Sequence, residues 1–154
     1  MEIERKYLFD QLPPGKHPCK HLVQAYISRD PVIRIRSSEA EGGEANGEKK
    51  YVLTIKGSGL VYREEHELLL TKEQFLSLLP KAEGRIIRKT RYLIPLEEGL
   101  TAEADVFHEE LEGLKLVEVE FPDEETMGGF TPPAWFGKDV SDTDQYHNSV
   151  LSKG

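Results

Sequence analysis

The stretch that decides the fold is the first one, Glu2-Ile3-Glu4-Arg5-Lys6-Tyr7-Leu8. Charged residues occupy positions 2, 4 and 6, and apolar or aromatic ones occupy 3 and 7. Successive side chains of a β-strand point to opposite faces, so Glu2, Glu4 and Lys6 share one face of a predicted strand. The same alternation recurs down the chain. Arg34-Ile35-Arg36, Thr54-Ile55-Lys56, Arg63 with Glu65 and Glu67, Lys89 with Arg91, Glu103 with Asp105 and Phe107, and Glu118-Val119-Glu120 each set charge on one parity.

Working outward, strand-like runs are predicted at 2–8, 22–28, 32–37, 50–56, 61–70, 84–94, 102–107 and 115–121. They carry β-branched and aromatic residues with a period of two. Helices are few. Thr71 and Gln74 form a capping-box pattern before Phe75, and Pro80 ends that helix. Asp123 is placed to cap a second short helix, and a third is predicted from about residue 144 to 151. The polar, glycine-containing segment 39–49 reads as a mobile loop. This pattern predicts a mainly β, α+β chain: one domain over residues 1–154, with an antiparallel sheet closed or nearly closed.

Composition narrows the function. Twenty Lys+Arg against 28 Asp+Glu give a net charge of −8, against the basic excess of a nucleic-acid binder. No apolar run approaches the roughly 18 residues of a membrane span, and the N-terminus lacks a signal-peptide core, so neither a nucleic-acid nor a membrane partner is expected and a cytoplasmic location is. Cys19 is the one cysteine, which excludes an internal disulfide and a zinc cluster built on cysteines. His17, His21, His66, His108 and His147 show no metal-ligand spacing and read as surface or loop residues. Trp135, after Pro132-Pro133, reads as a packing anchor for the tail.

A sheet with one wet face explains any single charged strand. It explains seven less well, because most pairs are of one sign: Glu-Glu, Arg-Arg, Lys-Arg, Glu-Asp. Like charges held together repel unless something neutralises them. Clustered carboxylates attract hard divalent cations, and clustered Arg and Lys attract phosphates. Turned inward, these faces would place eight acids and seven bases in one interior. Such an interior cannot be a dry core, since each unpaired buried ion costs several kcal/mol. A water-filled passage holding a polyanion and metal ions is the consistent alternative.

The motif Glu2-x-Glu4-x-Lys6 resembles the ExExK signature of the CYTH superfamily, the triphosphate tunnel metalloenzymes. It is followed in order by Gln24-x-Tyr26, Arg34-x-Arg36, Thr54-x-Lys56, Glu65-x-Glu67, Lys89-x-Arg91, Asp105-x-Phe107 and Glu118-x-Glu120. The tail, with Trp135-Phe136-Gly137 and Tyr146-x-Asn148, is similar to that of the short bacterial inorganic tripolyphosphatases. The resemblance implies a closed eight-stranded antiparallel β-barrel tunnel with a few outer helices. It also implies hydrolysis of a small-molecule triphosphate, foremost inorganic tripolyphosphate, with Mg2+ or Mn2+. By position, Glu2, Glu4, Asp105, Glu118 and Glu120 resemble the metal-holding acids, with Glu65 and Glu67 counted among them. Lys6, Arg34, Arg36, Lys56, Lys89 and Arg91 resemble the phosphate cradle, with Arg63 beside them. Glu2, Glu4, Lys6 and Lys89 are the candidates for the chemistry. Thiamine triphosphatase and class IV adenylyl cyclase are the alternatives within the superfamily, and a non-catalytic polyphosphate-binding module is the alternative outside it. A homodimer is compatible with this reading.

Overall fold

The computed structural model describes residues 2–41, 49–57, 62–143 and 145–153. Ten strands, β1 (Glu2–Phe9), β2 (Cys19–Arg29), β3 (Val32–Glu41), β4 (Lys49–Lys56), β5 (Tyr62–Arg63), β6 (Glu65–Leu70), β7 (Glu83–Pro95), β8 (Thr101–Phe107), β9 (Lys115–Glu120) and β10 (Phe136–Asp139), belong to one sheet. All its pairings are antiparallel.

The expected closed eight-stranded barrel needs correction. Strand order is β10-β1-β9-β8-β7-β2-β3-β4-β6, a path with two ends, so the sheet is open. The reason lies in how β1 spends its second edge. Over Tyr7 and Phe9 that edge pairs with β10, a strand the sequence reading did not anticipate. Only at Glu2↔Arg63 and Ile3↔Tyr62 does it pair with the short β5. The run expected as one strand over 61–70 is interrupted at Glu64, whose carbonyl accepts a 2.8 Å hydrogen bond from the Gly57 N–H. β6 then gives its ladder to β4.

Much of the outer, apolar parity of the strands is covered by helices and by the tail, while Ile55 on β4 and Leu68 on β6 stay exposed. Thr71 caps α1 (Lys72–Leu78) by the expected box: Gln74 N–H donates to Thr71 Oγ1 at 3.1 Å and Thr71 N–H to Gln74 Oε1 at 2.9 Å. The helix seats Phe75 against Ala25 and Ile35 of the sheet. Burying one such ring contributes about 1.5–3 kcal/mol. Asp123 caps α2 (Glu124–Gly128) by accepting from Thr126 N–H at 2.7 Å. A larger apolar cluster joins Tyr7, Phe9, Ala104, Val117, Val119, Phe121 and Phe136, with Phe130 and Trp135 packed on it. Trp135 meets Phe9 edge-on at 5.5 Å, as a packing anchor would.

Two segments differ from expectation at their ends. β3 extends to Glu41 and β4 begins at Lys49, so strand replaces the margins of the expected loop; residues 42–48 lie outside the described set. The last helix, α3, spans only Asn148–Leu151. The tail is fastened across β7, where Arg85 N–H donates to Ser152 O at 2.6 Å. Gly84, at φ +75°, permits this: a Cβ there would stand 2.1 Å from Ser152 O. No helix among the described residues is long and apolar enough to cross a membrane.

Candidate functional site

Register assembles the charged parity into facing rows. Glu4 pairs with Glu120 and Lys6 with Glu118 across β1 and β9. Glu118 in turn faces Glu103 of β8, and Asp105 follows on that strand opposite Arg91 of β7. On the far side of the sheet path, Arg34 faces Thr54, Thr54 faces Glu67, and Lys56 faces Glu65.

Although the ladder is open, both halves look into one cavity. Its walls carry Glu4, Lys6, Glu118 and Glu120 from β1 and β9, and Arg34, Arg36, Lys56, Glu65 and Glu67 from β3, β4 and β6. Arg91 and Glu103 line it too. Residues separated by most of the sheet path therefore share a space, which follows from the curl of a twisted sheet around its charged face. Lys89 and Asp105 are fully buried in contact with these wall residues. The side chains of Glu2 and Arg63 lie outside the described set.

The deepest contacts are ionic. Arg91 donates from Nε to Asp105 Oδ1 at 2.7 Å and from Nη2 to Oδ2 at 2.9 Å. Lys89 Nζ stands 2.7 Å from Asp105 Oδ2 and 5.2 Å from the Phe107 ring centre. Both Asp105 oxygens are thus taken by protein cations. Lys6 Nζ meets Glu118 at 3.3 Å and Tyr146 O at 3.1 Å. Lys56 meets Glu65 at 3.9 Å.

These surroundings set the charges. Burial, reinforced by Arg34 and Arg91, lowers Arg36 to about 9. Burial also lowers the Lys89 ammonium to about 7, with Asp105 pulling the other way. Burial disfavours ionised Glu118, but Lys6, Arg91 and Lys89 outweigh it and hold that carboxyl well below its usual range. Burial likewise opposes ionised Asp105, and Arg91 and Lys89 again outweigh it.

Among the described residues three buried side-chain donors have no hydrogen-bond partner: Arg34 Nε and Gln24 Nε2 near the cavity, and Arg85 Nε on β7. Each unsatisfied buried donor costs about 1–3 kcal/mol, more when charged. Arg34 Nη2 is held by Thr54 Oγ1 at 3.2 Å, and Arg36 Nε by Gln24 Oε1 at 3.0 Å, so the guanidinium groups are fixed in place. An anion in the cavity would meet the Arg34 and Arg36 guanidinium groups, which line it. The acids there offer only hard oxygen donors, the set suited to Mg2+ or Mn2+.

The sequence reading missed the tail's share of this site. His147, read as a surface or loop residue, lines the cavity beside Asn148. Asn148 Oδ1 accepts from Lys89 Nζ at 3.4 Å. The Tyr146-x-Asn148 spacing was the available signal. A different set of ligand atoms lies outside the cavity: Cys19, His21 and Glu41 bring a thiol, an imidazole and a carboxylate within 4.8 Å of one another, able to chelate a metal ion.

No protein-family model matches the chain. The inorganic triphosphatase of Nitrosomonas europaea is 38% identical over 98% of this chain and 96% of its own length. The inorganic triphosphatase of Acetivibrio thermocellus is 31% identical over 99% of this chain and 93% of its own. Among solved structures, the inorganic triphosphatase NE1496 superposes with a TM-score of 0.70 at 35% identity, covering 100% of this chain and 95% of that one.

Proposed function

Since the chain belongs to the CYTH family of inorganic triphosphatases, which are metal-dependent hydrolases, we propose that its own substrate is inorganic tripolyphosphate, hydrolysed to phosphate and pyrophosphate with Mg2+ or Mn2+. The observation that supports this most is the division of the cavity. Bases cluster at Arg34, Arg36 and Lys56 with Arg91 and Lys6 opposite, while carboxylates cluster at Glu4, Glu118 and Glu120. A linear polyanion long enough to reach several bases at once, and carrying metal ions toward the acids, matches both clusters.

Arg34 and Arg36 offer planar guanidinium groups already oriented by Thr54 and Gln24. They would grip phosphate oxygens bidentately. Lys6 and Lys56 add point charges, and Lys89 and Arg91, anchored by Asp105, stand behind them. Together they would hold the chain extended and stabilise charge on the transferring phosphoryl group. Glu4, Glu118 and Glu120, with Glu65 and Glu67 across the cavity, would hold the divalent ions. A hard divalent ion so bound supplies phosphate neutralisation and an acidified water. A cavity glutamate is the acceptor for the proton of the attacking water.

The test is product analysis from tripolyphosphate, ATP and thiamine triphosphate, each with Mg2+ and with Mn2+. Phosphate plus pyrophosphate from tripolyphosphate at the highest kcat/KM is the expected result. Cyclic AMP from ATP would replace this reading with the cyclase alternative, and binding of tripolyphosphate without turnover in the presence of either metal would replace it with a binding module.

A further inference from the structure

We propose that Cys19, His21 and Glu41 form a second cation site, on the face of the sheet opposite the cavity, for a borderline transition-metal ion of the Zn2+ class. The placement follows from strand geometry. Cys19 and His21 are two residues apart on β2 and so share a face, the one opposite Gln24, which reaches Arg36 at the cavity. Register sets Cys19 directly across from Glu41 on β3 and His21 across from Thr90 on β7. Three strands therefore meet at one outward spot.

The ligand atoms are near the separations a metal needs. Cys19 Sγ lies 3.9 Å and His21 Nε2 2.5 Å from Glu41 Oε2. With metal–ligand bonds of about 2.0–2.3 Å, tetrahedral donors stand about 3.3–3.7 Å apart. The thiol and carboxylate need almost no movement. The imidazole and carboxylate open by under about 1 Å as their contact is exchanged for two metal bonds. His21 and Glu41 side chains are 50% and 60% exposed, which leaves a fourth position for water and a path of entry.

The imidazole is also oriented from behind. His21 Nδ1 is 3.2 Å from Thr90 Oγ1, which is 2.8 Å from His108 Nε2. The contact of His21 Nε2 with Glu41 Oε2 holds a proton between the two atoms. A bound cation would displace that proton to solvent, while Nδ1–H donating to Thr90 Oγ1 keeps the ring in place. Binding would also release the Cys19 proton to solvent. A sulfur–nitrogen–oxygen donor set disfavours Mg2+ and Mn2+, so this site and the all-oxygen cavity are separated by chemistry as well as by face.

The experiment is a Co2+ titration of the full chain after removal of metals by chelation. Cys19 is the single cysteine, so a thiolate-to-Co2+ charge-transfer band reports this site and no other. The expected result is a band saturating at one equivalent, abolished in Cys19→Ser, displaced by Zn2+ and not by Mg2+. His21→Ala and Glu41→Gln should each weaken binding roughly tenfold or more, and Glu120→Gln should leave the band unchanged. Zn2+ should also slow alkylation of Cys19 in the wild type and not in His21→Ala, a readout independent of colour. Cys19→Ser should retain wild-type Mg2+-supported turnover. No band and no zinc protection in the wild type, or both unaltered by His21→Ala and Glu41→Gln, would overturn the proposal.

Discussion

Arg91 clamps Asp105 through two parallel hydrogen bonds of 2.7 and 2.9 Å, and Lys89 closes on the same carboxylate at 2.7 Å. One acid thus organises two cations behind the cavity wall. Asp105→Asn leaves both cations buried with a neutral partner, and breaking a buried pair costs about 3–5 kcal/mol. Urea unfolding should show that loss, together with reduced kcat/KM. Because the folded-state pKa of Asp105 is lowered, its contribution is present above the unfolded carboxylate pKa and is lost as pH falls through the folded one. The acid limb of the stability curve should therefore flatten in Asp105→Asn; an unchanged limb and midpoint would argue against the clamp.

Lys89 gives the pH dependence at the other end. Its folded pKa is lowered to about 7, so the charged form is disfavoured in the fold. Its contribution to stability should rise with pH from about 7 toward the unfolded ammonium value of 10.5. Phosphate binding needs the charged form, so affinity should move the opposite way, weakening above about pH 7. In Lys89→Arg, which keeps its charge, the alkaline fall in kcat/KM should shift to higher pH. Superimposable alkaline limbs would remove Lys89 from substrate binding.

Glu4 and Glu120 face each other across β1 and β9 on the cavity wall. Glu4→Gln or Glu120→Gln should lower kcat roughly a hundredfold or more at limiting Mg2+, by analogy with the loss of weaker supporting contacts at metal sites. Directly opposed like charges are destabilising, so metal-free thermal stability should hold or rise. Calorimetry beside turnover separates the two effects; full turnover in both variants would reject their role as ligands.

What the sequence made legible was the parity of each strand. Within an unbroken strand a period of two is independent of burial and loop length, so Glu4, Lys6, Arg34, Arg36 and Glu118 could be grouped before any register was known. Capping chemistry at Thr71 and Asp123 was equally local. The open sheet was not legible, because it depends on how β1 divides its edge between β10 and β5. β10 itself hides in four residues, with Gly137 admitting Leu8 O to 2.9 Å of where a Cβ would stand. The Cys19–His21–Glu41 cluster was hidden for a related reason: Glu41 reaches the other two through register, 20 residues along the chain from His21.

The proposed activity requires the cavity to select a linear triphosphate through simultaneous contacts with bases on several strands. The measurement is kcat/KM for tripolyphosphate, ATP and pyrophosphate in one buffer with saturating Mg2+. Each charge-assisted contact contributes about 1.5–3 kcal/mol. Pyrophosphate, which forfeits one or two of them, should fall about ten- to several-hundred-fold or more below tripolyphosphate. ATP should also fall below it, since its nucleoside must sit at the cavity mouth. An ATP value equal to or above that for tripolyphosphate, or pyrophosphate turned over as well as tripolyphosphate, would contradict the account.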